Sequence, residues 1–291
     1  MSSSAPQTPL DIAVVGGGIA GLTLVIGLLK QNIQVICYEA AHHFGEIGAG
    51  VGLGPNSVRA MTLIDPAIKH AFEKVATSNQ WESKKNLWLD VRYGEDGDEK
   101  GRTGKLIHPM ECPGGQAALH RADFLDELVK RVPTNIACFG KRLVALEDLG
   151  EEGLRLKFRD GTEATHHAVI GCDGIKSATR QYILGPGNPA AHAVFTGKYC
   201  YRGLIPMDKA EALLGEELAK NNSMYIGHHK HIITFPVQKG KTMNDKCLSR
   251  FCCRLKLSGL ASKDERSVSI KLKSHYQSQL STLASLKTIS P

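Results

Sequence analysis

The sequence predicts an α/β fold, with a domain built on a parallel sheet and a smaller β-rich lobe interposed in it. Two observations predict this. Residues 11–39 read as strand, glycine turn, helix and strand, a βαβ unit of the usual ~30 residues. From Lys198 onward the pattern changes to the two-residue alternation of antiparallel strands. The 291 residues, 42% hydrophobic and 22% charged, allow one large domain or two ordinary ones. That composition excludes collagen, coiled coil and wholesale disorder.

The elements follow in order. Asp11 to Val15 is short, apolar and β-branched, hence a buried strand. Ile19 to Gln31 reads as a helix, and Asn32 to Tyr38 as a second buried strand ending at Glu39. Glycines alternate at Gly48, Gly50, Gly52 and Gly54, and Pro55 then starts a helix running to Ile64. Leu87 to Tyr93 and Leu106 to Met110 form a hairpin around the charged, Gly-rich stretch 94–104. Phe124, Leu125, Leu128 and Val129 have helix spacing within Ala122 to Arg131. Arg142 to Glu147, Leu154 to Phe158 and Glu163 to His166 are short strands around the Asp160-Gly161 turn, followed by a buried strand at Ala168 to Gly171. The second lobe reads as strands at Tyr199 to Ile205, Met224 to Gly227 and His231 to Val237, with one helix over Ala210 to Lys220.

Charge removes one class of function. The net charge is +7, but the last 48 residues carry 9 Lys+Arg against 3 Asp+Glu, which leaves 27 against 26 in residues 1–243. A nearly neutral body without a basic stripe excludes an electrostatic nucleic-acid binder. The 8 cysteines include no CxxC pair, and Met1 to Pro9 lacks the basic start of a signal peptide. Reduced thiols in the cytoplasm are the expectation. The uncharged run Ile12 to Leu29 reaches the length of a membrane span, but Gly16, Gly17 and Gly18 split it into a strand and a helix. The paired histidines at 42–43, 166–167 and 228–231 have no supporting carboxylate or Cys spacing, so no metal site is expected.

The chemistry sits in four places. Gly16-x-Gly18-x-x-Gly21 lies between a strand and a helix. There Gly16 permits the turn, Gly18 lets backbone approach a pyrophosphate, and Gly21 allows close helix–strand packing. Glu39 stands 18 residues after Gly21, where a carboxylate accepts from ribose hydroxyls and repels a 2′-phosphate. These features predict a bound dinucleotide and leave NAD and FAD open. The glycine ladder, with Gly50 and Gly52, is backbone that can lie against a flat ring. His120-Arg121-Ala122-Asp123 puts a cation at a helix start, and Cys172-Asp173-Gly174-x-x-Ser177-x-x-Arg180 follows a buried strand.

Taken in this order, the motifs resemble those of the flavin-dependent aromatic hydroxylases (group A monooxygenases), of the salicylate-hydroxylase-like fungal type, over residues 10–240. The resemblance implies a glutathione-reductase-like FAD/NAD(P)-binding domain with an interposed, incomplete β-rich substrate lobe. It implies that FAD is the cofactor, NAD(P)H the co-substrate and a small aromatic the substrate, in secondary metabolism or aromatic catabolism. It places Glu39 on the adenosine ribose, Gly52 on the flavin, Arg121 along the pyrophosphate or ribityl chain, and Asp173 in FAD and NAD(P)H binding. Arg202, in Tyr201-Arg202-Gly203, is the expected catalytic-site residue, because a guanidinium can hold a carboxylate or phenolate by two parallel bonds. Where some relatives have a Tyr before a Pro, this chain has Phe235-Pro236.

One departure stands out. The family has a third FAD element, a Gly-Asp beyond the substrate lobe, and the only Gly-Asp pair here is Gly97-Asp98. The resemblance fades near Lys241 to Met243, where the chain becomes Ser- and Leu-rich. The expected organisation is therefore a flexible start at 1–9, a cofactor domain at 10–80 and 106–185, and a hairpin insertion at 81–105. A partial substrate lobe then occupies 186–243, and 244–291 is an atypical, disordered tail. Two alternatives to an active monooxygenase are a truncated inactive remnant of such an enzyme and an NAD-dependent reductase.

Overall fold

The computed structural model describes residues 10–45, 50–94 and 100–250. The chain start, Gly48, the Gly97-Asp98 turn and residues 251–291 of the expected tail lie outside the described residues. In chain order the first elements are β1 (Asp11–Val15), α1 (Ile19–Lys30), β2 (Gln34–Tyr38), β3 (Gly50–Leu53), α2 (Pro55–Ile64), α3 (Pro66–Val75) and β4 (Thr77–Ser78). Next come β5 (Leu87–Tyr93), β6 (Leu106–Glu111), β7 (Ala117–His120), α4 (Arg121–Val129), β8 (Ala137–Cys138), β9 (Leu143–Asp148), β10 (Leu154–Phe158), β11 (Glu163–His166) and β12 (Ala168–Gly171). The remainder is α5 (Ala178–Leu184), β13 (Lys198–Pro206), α6 (Met207–Leu214), α7 (Glu216–Lys220), β14 (Ser223–Gly227), β15 (Lys230–Val237) and β16 (Thr242–Arg250).

These elements form two compact units. The first takes Met1–Gly48, Val58–Lys74 and Arg121–Val194, and the second takes Ala49–Ser57, Val75–His120 and Phe195–Pro291.

The first unit is a parallel sheet in the order β12-β1-β2-β8. Ala13 and Val14 are fully buried, as a central strand covered on both faces requires. Helix α1 buries Gly21, Leu22, Val25 and Ile26, one stripe at helical spacing. The meander β11-β10-β9 adds Leu143, Leu156 and Phe158 to the cluster that holds Ala13, Val15 and Tyr38.

The second unit is a six-stranded sheet, β13-β16-β15-β14-β5-β6, with a small sheet β3-β7-β4. Helices α6 and α7 cover one face, where Met207, Ala210, Leu214 and Ala219 pack on Tyr225 and Met243. On the other face Phe235 and Val237 pack on Ala118 of β7.

Several expectations are corrected. The hairpin β5–β6 is not an insertion in the cofactor domain. Strand β5 pairs in parallel with β14, Ser223 opposite Asp90, which joins it to the six-stranded sheet, and residues 75–120 follow it there. Ordered structure does not end at Met243. Strand β16 runs on to Arg250 between β13 and β15, with Met243, Asn244, Asp245 and Cys247 all buried. The single helix over 210–220 is two, broken at Gly215, whose φ of +83° is open to glycine. The ladder glycines Gly50 and Gly52 lie in a strand paired with β7.

Candidate functional site

The loops after β1 and β12 meet at the end of the parallel sheet. The Gly16 amide donates to the Tyr38 carbonyl at 2.8 Å, and the Cys172 amide donates to the Val15 carbonyl at 2.7 Å. Gly16 turns with φ +106°, and a Cβ there would lie 2.4 Å from the Cys172 carbonyl oxygen. A Cβ on Gly21 would lie 1.8 Å from the Gly16 oxygen. A Cβ on Gly18 would meet nothing within 4 Å. The three glycines thus do different work: Gly16 and Gly21 let backbone touch backbone, and Gly18 borders open space. Gly18 is also the N-cap of α1, a helix with no side-chain cap and no acid in its first turn. Its first amides and the positive end of its dipole therefore face that space, a ready anion site.

The space is a cavity of about 240 Å³ lined by Gly16, Gly18, Tyr38, Glu39, Arg142 and Lys176, among others. Glu39 is held at its mouth: Oε2 accepts the Gly17 amide at 2.6 Å and Oε1 the Ala41 amide at 2.7 Å. Each oxygen keeps a lone pair for a hydroxyl donor. Lys141 also lines the cavity but is paired with Asp160 at 2.6 Å. That pairing, first through its hydrogen bond, lowers the Asp160 carboxyl to about 2. Arg142 and Lys176 form no ion pair among the described residues, so they leave positive charge at the mouth. Open amides, a fixed carboxylate and two cations fit the pyrophosphate and ribose of a dinucleotide. Sequence reading missed Lys141, Arg142 and Lys176; the signal was their position just past the neighbouring strand ends.

Behind the cavity Tyr38 is tied down. Its hydroxyl lies 2.8 Å from His166 Nε2, and His166 Nδ1 lies 2.7 Å from an Asp11 oxygen. Burial first, with nearby Cys138 and Asp11, pushes the Tyr38 hydroxyl up to about 12. It therefore stays protonated as a structural bond.

Asp173 lines the cavity, and its carboxylate also braces the wall. Its Oδ2 accepts from the Ala178 and Thr179 amides and the Thr179 hydroxyl at 2.8–3.2 Å, which caps α5. Ser177 Oγ accepts the Arg180 amide at 2.8 Å, and the Arg180 guanidinium donates to the carbonyls of Gly174, Ile175 and Ala191. The Asp-Gly motif is thus a self-braced loop that shapes the cavity wall. Arg121 opens α4, is exposed and is not among the residues lining the cavity.

Gly50, Gly52 and Arg202 belong to the second unit. A Cβ on Gly50 would meet Asn244 Oδ1 at 2.6 Å and Phe235 at 2.7 Å, and one on Gly52 would meet Gln116 Nε2 at 1.5 Å. The Gly50 amide donates to Asn244 Oδ1 at 2.9 Å. Protein side chains occupy the side where these Cβ atoms would stand, so packing alone already requires glycine at both positions. Arg202 lies exposed on β13, directly opposite Lys246 of β16.

No protein-family model matches the chain. It is 46% identical over 239 residues to the 6-methylsalicylate 1-monooxygenase atA of Aspergillus terreus, which covers 81% of this chain and 53% of that protein. It is 44% identical over 240 residues to the FAD-dependent monooxygenase pigN of Monascus ruber, covering 82% and 54%. A solved salicylate hydroxylase substrate complex superposes with a TM-score of 0.69 at 33% identity, covering 88% of this chain and 60% of that one. The fold is that of a flavin-hydroxylase-like α/β protein. The chain is a homologue of the FAD-dependent aromatic monooxygenases, and it spans about half the length of the curated relatives it matches.

Proposed function

We propose that the chain provides the adenosine half of an FAD site and part of the substrate lobe of an FAD-dependent monooxygenase. Its substrate class is small aromatic acids or phenols, hydroxylated with NAD(P)H and O₂. The observation that carries this reading is the cavity at the βαβ mouth, where the open amides of α1, Glu39 and two cations converge. The relatives' names supply the chemistry and the residues supply the fit. FAD, when bound, delivers the oxidising chemistry. The α1 amides hold the pyrophosphate, Glu39 accepts from the ribose hydroxyls, and Arg202 holds the substrate anion and orients the ring. No helix among the described residues is long and apolar enough to cross a membrane.

Reconstitution tests the reading. The purified chain is expected to retain FAD through gel filtration. A protein that stays colourless after incubation with FAD overturns it. Glu39→Ala is expected to weaken FAD binding ten- to a hundredfold, because hydrogen bonds to a charged group contribute roughly 1.5–3 kcal/mol. A titration showing wild-type affinity removes Glu39 from the site. Arg202→Ala should weaken salicylate binding by about tenfold while FAD affinity holds. Arg202→Lys should rescue poorly, since an ammonium cannot present the planar fork. Lost FAD with retained salicylate binding reverses that assignment.

A further inference from the structure

The six-stranded sheet has one face covered by α6 and α7. Cross-strand register defines the opposite face. Arg202 stands opposite Lys246, Lys246 opposite Ile233, and Ile233 opposite Met224. Directly opposed residues of antiparallel strands share a face, so these four form one row across β13, β16, β15 and β14. Lys198 lies on the same face of β13, and His231 on that of β15.

Alternation puts no Asp or Glu on this face of the four strands; Asp245 points to the other side. Arg202 and Lys246 form no ion pair among the described residues. Arg202 is exposed, Lys246 half-buried, and Leu204 is 40% exposed beside them. Like charges directly opposite each other on neighbouring strands repel and destabilise the pair. A carboxylate bridging the two relieves that repulsion, and the apolar side chains on either side of the pair, Leu204 on β13 and Ile233 and Met224 on β15 and β14, offer a ring apolar contact. His231 feels the same charges: burial, then Lys246 and Lys198, lowers its pKa.

We propose that Lys246 is a second anion-holding, specificity-determining residue, which with Arg202 forms a cation pair that selects aromatic carboxylates over neutral aromatics. This rests on the reading of Arg202 given above, and the experiment separates the two. The probes are benzoate and its neutral isostere benzamide, titrated calorimetrically into the purified chain. Lys246→Met, which keeps the aliphatic stem, is expected to weaken benzoate binding about tenfold, as loss of one charged partner does. Benzamide binding should not change, and benzoate affinity should become less dependent on salt. Lys246→Gln should behave like Lys246→Met, and Lys246→Arg should restore most of the loss. Wild-type benzoate affinity in folded Lys246→Met, with weakened binding in Arg202→Met, overturns the role of Lys246 and leaves that of Arg202 standing. Equal affinity of the wild-type chain for benzoate and benzamide overturns both.

Discussion

Gly21→Ala is expected to lower stability by about 3 kcal/mol or more, because inserting one methyl into close-packed structure costs ~1–3 kcal/mol even where side chains can yield. Here they cannot yield. The added Cβ would stand 1.8 Å from the Gly16 carbonyl oxygen, which is backbone, and Gly16 is itself wedged against the Cys172 carbonyl. Relief requires α1 to lift from β1, which uncovers the Leu22 and Val25 contacts and tilts the amides at the cavity mouth. At roughly 2–4 °C per kcal/mol for a unit of this size, the melting temperature should fall by about 6–12 °C. FAD binding should be lost with it. Gly18→Ala is the matched control. Its Cβ meets nothing within 4 Å, and Gly18 has φ −74°, which alanine adopts freely. This variant should melt like wild type and still bind FAD more weakly, because the methyl enters the space proposed for the pyrophosphate. Thermal melts with FAD titrations on both proteins decide the matter. Equal stability of Gly21→Ala and wild type contradicts the packing, and full FAD affinity in Gly18→Ala contradicts the placement of the anion.

The contrast between these glycines shows what was legible in the sequence. The βαβ unit could be read because its signals are local: spacing, a turn and a carboxylate at a strand end. Asp173 was legible as a motif, but its bracing of α5 was not. Whether a carboxylate caps a helix or meets a ligand depends on where α5 begins, and Ala178–Leu184 carries little apolar periodicity. The packing around the ladder was hidden for a related reason. Gly50 and Gly52 make room for Asn244, Phe235 and Gln116, and two of these lie more than 180 residues away in the chain. The parallel pairing of β5 with β14 joins Asp90 to Ser223, also far apart in the chain, so a local reading sees only the hairpin. The position of Lys246 could be read only once β16 was known to lie beside β13.

The same strand carries the other large effect. Asp245 is 4% exposed on β16, flanked by Gly203 and Thr234 on the face covered by α6 and α7. Among the described residues its Oδ1 has no hydrogen-bond partner, and neither has Thr234 Oγ1. Burial alone pushes the carboxyl up from 3.8 to about 6. The folded state therefore holds this proton more tightly than the unfolded chain does. Between pH 4 and 6 the native protein binds more protons, so stability falls as pH rises through that window and stays reduced above it. A shift of about two units corresponds to roughly 3 kcal/mol. Asp245→Val puts an apolar, β-branched side chain in a central strand position that favours it. The variant should gain about 2–3 kcal/mol at pH 8 and little at pH 4, where the wild-type carboxyl is already neutral. Urea midpoints for both proteins at pH 4, 6 and 8 measure this directly. A gain that is the same at all three values would come from packing rather than from a buried charge. No gain at pH 8 would show that the carboxylate reaches water or a cation and that β16 does not seat Asp245 under the helices.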